Sequence, residues 1–173
     1  MSNNELFDAS MDALRSRIIR ILPAQIRECL TQLSDDQLWW RANDESNSIG
    51  NLVLHVSGSI RHYLVHRIGG MEYKRDRAAE FSERGPIPRE HLLEIFNETM
   101  RQADQVLAGF DENRLVEPTD EPAYFPTVFH AVVGIGVHLS FHAGQIVYAT
   151  KMLREGGLDD LWIRAHRSAA STS

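Results

Sequence analysis

The chain has 173 residues, 43% of them apolar and 24% charged, with a net charge of −6. That length buries one sizeable core, and an acidic surface repels phosphate backbones, which excludes nucleic acid as the expected partner. No uninterrupted apolar run reaches the roughly 20 residues that a bilayer demands, no basic-then-apolar leader opens the chain, and the single cysteine, Cys29, excludes an internal disulfide framework; the expectation is a cytoplasmic protein without a membrane partner.

Apolar residues recur at helical steps from the start. Phe7, Met11, Leu14, Ile18 and Leu22 follow one another at intervals of three and four. Pro23 interrupts this first segment, and either kinks it or begins a second piece through Ile26, Leu30 and Leu33. In "SDDQLWW", Ser34 is placed to cap a short turn. Asn47 or Ser48 caps a second helix from about Ile49 to Ile68, stopped by Gly69-Gly70. The charged stretch "MEYKRDRAAEFSERG" reads as a surface loop. Pro86 and Pro88 introduce a third helix with Leu92, Ile95, Phe96, Met100, Ala103 and Leu107 on one face. The connection "GFDENRLVEPTDEPAYFPT" holds three prolines and is too broken for helix. A fourth helix starts near Thr127 and ends by Gly156-Gly157.

No segment alternates as a strand does, and no internal repeat appears. The expected fold is all-α, a four-helix bundle with long loop connections around residues 69–87 and 109–126. One domain is expected over residues 1–160, with 161–173 as a partly disordered tail.

The chain carries eight histidines, at 55, 62, 66, 91, 130, 138, 142 and 166. Two pairs lie four residues apart, His62/His66 and His138/His142, so spacing alone is a weak signal. Helical phase separates them. His142 falls within the apolar stripe Val128, Ala131, Ile135, Leu139, Ile146 of the fourth helix, with His138 at its edge. His62 and His66 sit toward the polar, glycine-terminated end of the second helix. Two readings of His138/His142 stand side by side: hydrogen-bonded core histidines, or two ligands of one divalent ion that draws a third from a facing helix. His55, on the flank of the second helix, is by itself an ordinary core histidine. The residue after His138 is Leu139, so the general-base glutamate of a His-Glu-x-x-His zinc protease is absent.

Together, "SNSIGNLVLHV" and "HLSFHAGQI" resemble the DinB-like (YfiT-like) superfamily of bacterial four-helix-bundle metalloproteins, and "WW" with "RDRAAEF" resembles one of its small, uncharacterised subfamilies. The resemblance covers Leu6 to Leu153. It implies three metal ligands, His55, His138 and His142, binding zinc or nickel with water in an open position. It also implies a homodimer. Some relatives are thiol S-transferases or isomerases that use bacillithiol, mycothiol or glutathione, so the expected activity is metal-dependent transfer of a small thiol to a small-molecule electrophile. A non-catalytic metal- or ligand-binding bundle of the stress-response type is the alternative. The chain departs from the frequent His-His-x-Gly-Gln wording, since Ala143 follows His142.

Other residues carry two readings each. Asn51 and Gln145 orient a water or an imidazole, or make ordinary helix hydrogen bonds. Trp39-Trp40 wall a small-molecule pocket, or plug one end of the bundle. Arg75 and Arg77 bind a carboxylate, or form surface ion pairs. Cys29 reads as a small core residue. Apolar residues on several sides of the first helix (Ile18, Ile19, Ile21, Leu22, Ile26) suggest a surface that covers a second subunit.

Overall fold

The protein is described here by a computed structural model covering residues 3–154 and Arg167. The expected tail lies outside these residues apart from Arg167. Regular structure among the described residues is helical, with one isolated bridge between Pro118 and Thr127.

The first helical segment is continuous. Helix α1 (Asn3–Arg15) passes into a π-helical stretch (Ser16–Ile21) and then α2 (Leu22–Thr31). Pro23 sits in the first turn of α2, and Leu22 N–H donates to the carbonyl of Arg17, five residues back. The widened turn absorbs the proline, whose ring and missing N–H fit a first helical turn better than an interior.

Helix α3 (Asp35–Trp39) and helix α4 (Ile49–Ile60) both open on capping boxes, Ser34 with Gln37 and Ser48 with Asn51. A second π-helical stretch (Arg61–Ile68) extends α4 to Gly69. The charged segment that follows contains helix α5 (Arg77–Ser82), which the sequence had pointed to as loop; the Asp76 carboxylate caps it by accepting from Ala79 N–H. Helix α6 (Arg89–Ala108) and the short α7 (Glu112–Leu115) precede α8 (Val128–Leu153), capped by Thr127. Helix α7 lies within the connection expected to be non-helical, where the Asp111 carboxylate accepts from Asn113 and Arg114 N–H groups.

Four long helical segments therefore dominate. Helix α2 packs on α8 and α6, and α4 packs on α6 and α8. Ile18, Ile26, Leu30, Val56, Leu92, Phe96, Leu139 and Ile146 are fully buried between them. Each such Leu, Ile or Phe contributes roughly 1.5–3 kcal/mol by leaving water. Cys29 is among the buried residues, and burial pushes its thiol up to about 11, as befits a core residue.

One expectation changes here. Ile18 and Ile26 are buried within this chain, so they do not cover a second subunit. The exposed apolar stripe lies instead on the outer face of α8, where Val137, Phe141, Tyr148 and Met152 are 65%, 63%, 69% and 59% exposed. In addition, α8 is long and apolar enough to cross a membrane by length and composition, because Lys151 is its sole residue of the Asp/Glu/Lys/Arg type. Its inner row, Val132, Ile135, Leu139, Ala143 and Ile146, is buried against the other helices.

Candidate metal centre

The contact of α4 with α8 brings together three imidazoles from distant parts of the sequence. His55 of α4 is buried; His138 and His142 of α8 are half-buried. One nitrogen from each lies within 4.8 Å of the others. The ring centroids of His55 lie 5.0 Å from those of both His138 and His142, and the latter two are 4.5 Å apart. All three rings meet edge to face, at 76°, 85° and 83°. Histidine nitrogens around tetrahedral zinc stand about 3.4 Å apart, a separation that small side-chain rotations reach from here.

Two of the rings are held from behind. Nδ1–H of His55 donates to Oε2 of Glu80 at 2.9 Å. Arg75 grips the same carboxylate, Nε to Oε1 at 2.7 Å and Nη2 to Oε2 at 2.8 Å, so that Oε2 is shared with His55. Nδ1–H of His142 donates to Oε1 of Gln145 at 2.7 Å. Both anchors fix the tautomer with the proton on Nδ1 and leave Nε2 for the centre of the triad. Nε2 of His138 is buried and has no hydrogen-bond partner among the described residues. An orphaned imidazole nitrogen is costly unless something satisfies it. A divalent ion fits that donor set.

The electrostatics agree. Burial, then the neighbouring His142 and His55, pushes His138 down to about 4. Burial also lowers His142, against the opposing effect of its hydrogen bond to Gln145. Both rings are thus neutral, the form that ligates a metal, across the neutral range. For Glu80, burial favours the protonated form, but the hydrogen bonds and charges of Arg75 and His55 outweigh it and hold the carboxyl below its ordinary value.

The stripe on α8 is corrected in one respect. Ala143, not His142, occupies the buried row, and His138 and His142 lie together on its flank. The most buried of the three is His55, with 6% of its surface exposed. His62 and His66 are apart from the triad; His66 Nδ1 pairs with the carbonyl of Met71 at 2.7 Å.

Among the described residues Asn51 hydrogen-bonds no imidazole. Its side-chain amide donates to the carbonyls of Glu80 and Glu83 at 2.9 and 3.0 Å, tying α4 to the end of α5. Gln145 does orient an imidazole, that of His142. Trp39 is a plug: its Nε1–H donates to the carbonyl of Ile87 at 3.0 Å, and its ring fills the space left by Gly50 and Gly85. Gly85 also has φ of 72°, a conformation that glycine adopts without penalty. Arg75 forms an ion pair, but with a buried carboxylate and not at the surface. Arg77 has no carboxylate partner among the described residues and lies over the Phe81 ring, 5.0 Å from its centroid.

Glu80 was missed at the level of sequence, because it falls in the charged stretch that reads as loop. The available signal is Gly58, one turn beyond His55 on α4. A Cβ there would stand 2.0 Å from Oε1 of Glu80, so the glycine makes the room that the carboxylate occupies.

Comparison with curated proteins and with solved structures gives no match. A match does come from a family described as Protein of unknown function (DUF1572), over residues 8–167. That span takes in α2 to α8 and every member of the triad, and the chain belongs to the DUF1572 family.

Proposed function

We propose that the protein is a metal-dependent enzyme of the DinB-like superfamily, a four-helix bundle whose His55, His138 and His142 hold zinc or nickel and which transfers a small thiol to a small-molecule electrophile. The observation that carries the metal is the orphaned, buried Nε2 of His138 facing two imidazoles whose Nδ1 atoms are already engaged. Three imidazole nitrogens with an open fourth position make a catalytic type of site rather than a closed structural one. The superfamily assignment rests on the two histidine motifs and on their meeting between α4 and α8.

When bound, a divalent ion supplies Lewis acidity that keeps a thiol deprotonated near neutral pH. The chain supplies the rest. Glu80 and Arg75 hold His55 in one tautomer, Gln145 holds His142, and Phe81 packs on His55 with ring centroids 4.6 Å apart, limiting access of water from the α5 side. A cytoplasmic setting accords with the single, buried Cys29.

One observation favours the second reading, a non-catalytic metal- or ligand-binding protein. Both oxygens of Glu80 are engaged by Arg75 and His55, so this carboxylate is not free to move a proton. Thiol-dependent turnover of a generic electrophile such as 1-chloro-2,4-dinitrobenzene by the zinc- or nickel-loaded protein decides between the two. Turnover that His142→Ala abolishes supports the transferase; metal binding without turnover over a panel of thiols supports the binding protein.

A further inference from the structure

A cavity of about 300 Å³ opens beside the triad, and His55 and His138 form part of its wall. Its opposite wall is aromatic. Tyr63, from the π-helical stretch after α4, stacks on Tyr124 at 6.1 Å and 11°, and Phe125 stands edge-on to both. Phe125 lies tight against α8 because residue 134, one turn before His138, is glycine: a Cβ there would stand 2.4 Å from the Phe125 ring. A cavity of this size, with flat aromatic walls beside the polar groups of Ser59, Arg75 and Arg77, is built for a small ligand.

Its charge is one-sided. Arg75 and Arg77 line it, and no Asp or Glu does among the described residues. Glu80 neutralises Arg75. Arg77 remains, exposed at the first position of α5 and lying over the face of Phe81. A guanidinium held by a ring face and lacking a carboxylate is matched to a planar anion, which it binds through two parallel N–H donors.

We infer that this cavity binds a small carboxylate with a flat apolar body, its anion on Arg77 and its body laid against the aromatic wall of Tyr124 and Phe125, so that the rest of the molecule faces the histidine triad. The substrate class of the proposed enzyme is thereby narrowed; the inference rests on that reading for its catalytic meaning, while the binding itself is measured separately. Tyr124 is 68% exposed, which leaves this wall open to a ligand from solvent.

The probes are 3-phenylpropionate and its uncharged amide, 3-phenylpropionamide, titrated by NMR into the full-length protein as purified and again after zinc loading, with zinc content measured on the same samples. The carboxylate is expected to bind about tenfold more tightly than the amide. Arg77→Gln should bring the two within about twofold of each other without loss of zinc, Arg77→Lys should keep part of the preference, and Lys74→Gln, a cation outside the cavity, should keep all of it. Equal affinities in the parent protein, binding of neither probe, or a preference that survives Arg77→Gln overturns the inference; the last outcome would place the carboxylate elsewhere, for instance on the ion. Failure of zinc to bind overturns the metal reading instead, and the preference on the purified protein still stands or falls by Arg77.

Discussion

Gly58 and Glu80 interlock across α4 and α5. The carboxylate of Glu80 lies where a side chain on Gly58 would be, with a would-be Cβ 2.0 Å from Oε1, and from there it reaches Nδ1 of His55. The helix that carries His55, the most buried of the three histidines, thus also carries the gap that admits the carboxylate behind it.

This pairing makes a specific expectation. Gly58→Ala should displace the carboxylate and lower metal affinity even though residue 58 is not a ligand. Glu80→Gln, which keeps size but loses charge, should weaken zinc binding by about 10–100-fold, the usual effect of removing the carboxylate behind a metal-bound histidine. Competition titration with a chelating dye measures both. Unchanged zinc affinity in Glu80→Gln would mean that the carboxylate serves Arg75 and not the metal.

Acid should destabilise the metal-free protein. His138 has its folded value pushed from 6.5 down to about 4, so between those values the unfolded chain binds more protons, and stability falls as pH falls through that window. Glu80 acts in the same direction lower down: its folded value is depressed, so its contribution is present above the ordinary 4.5 and is lost as pH drops through the folded value. Urea denaturation of metal-free protein at pH near 7 and near 5 should show a lower midpoint at the acid end, and His138→Gln should flatten that difference. A midpoint that does not move in the parent protein would contradict the burial of a neutral His138.

We propose a homodimer, and the exposed row Val137, Phe141, Tyr148 and Met152 along α8 is the surface that supports one. An isologous interface sets the same stripe of each subunit against the other. Tyr148→Asp with Met152→Asp, remote from the ligands along the helix, should give a monomer by light scattering at micromolar concentration and leave helicity by circular dichroism unchanged. A monomeric mass for the parent protein would refute the dimer.

The helices and the histidine triad were legible in the sequence for different reasons. Ser48 with Asn51, and Thr127, announce α4 and α8 through caps that act over one turn, and apolar steps of three and four carry the rest. Helix α5 was not legible: six residues make too short a run for periodicity, and it stands on tertiary contacts, the Asn51 amide on its far end and Arg75 with Glu80 at its buried side. Phase singled out His138 and His142, and the family resemblance of the paired motifs added His55, yet phase misjudged depth. A continuous apolar stripe admits either residue 142 or residue 143, and only the packing of the other helices on α8 selects Ala143 for the buried row. Glu80 and the unpaired state of Arg77 depend on neighbours far along the chain, which no local pattern encodes.

The central claim is that His55, His138 and His142 bind one divalent ion. Elemental analysis of untagged protein, beside His138→Ala, His142→Ala and His62→Ala, tests it most directly. About one zinc or nickel per chain is expected in the parent protein and in His62→Ala, and strong loss in the other two, all four remaining helical because the apolar faces hold the fold. Full occupancy in His138→Ala, or loss in His62→Ala, would contradict the site.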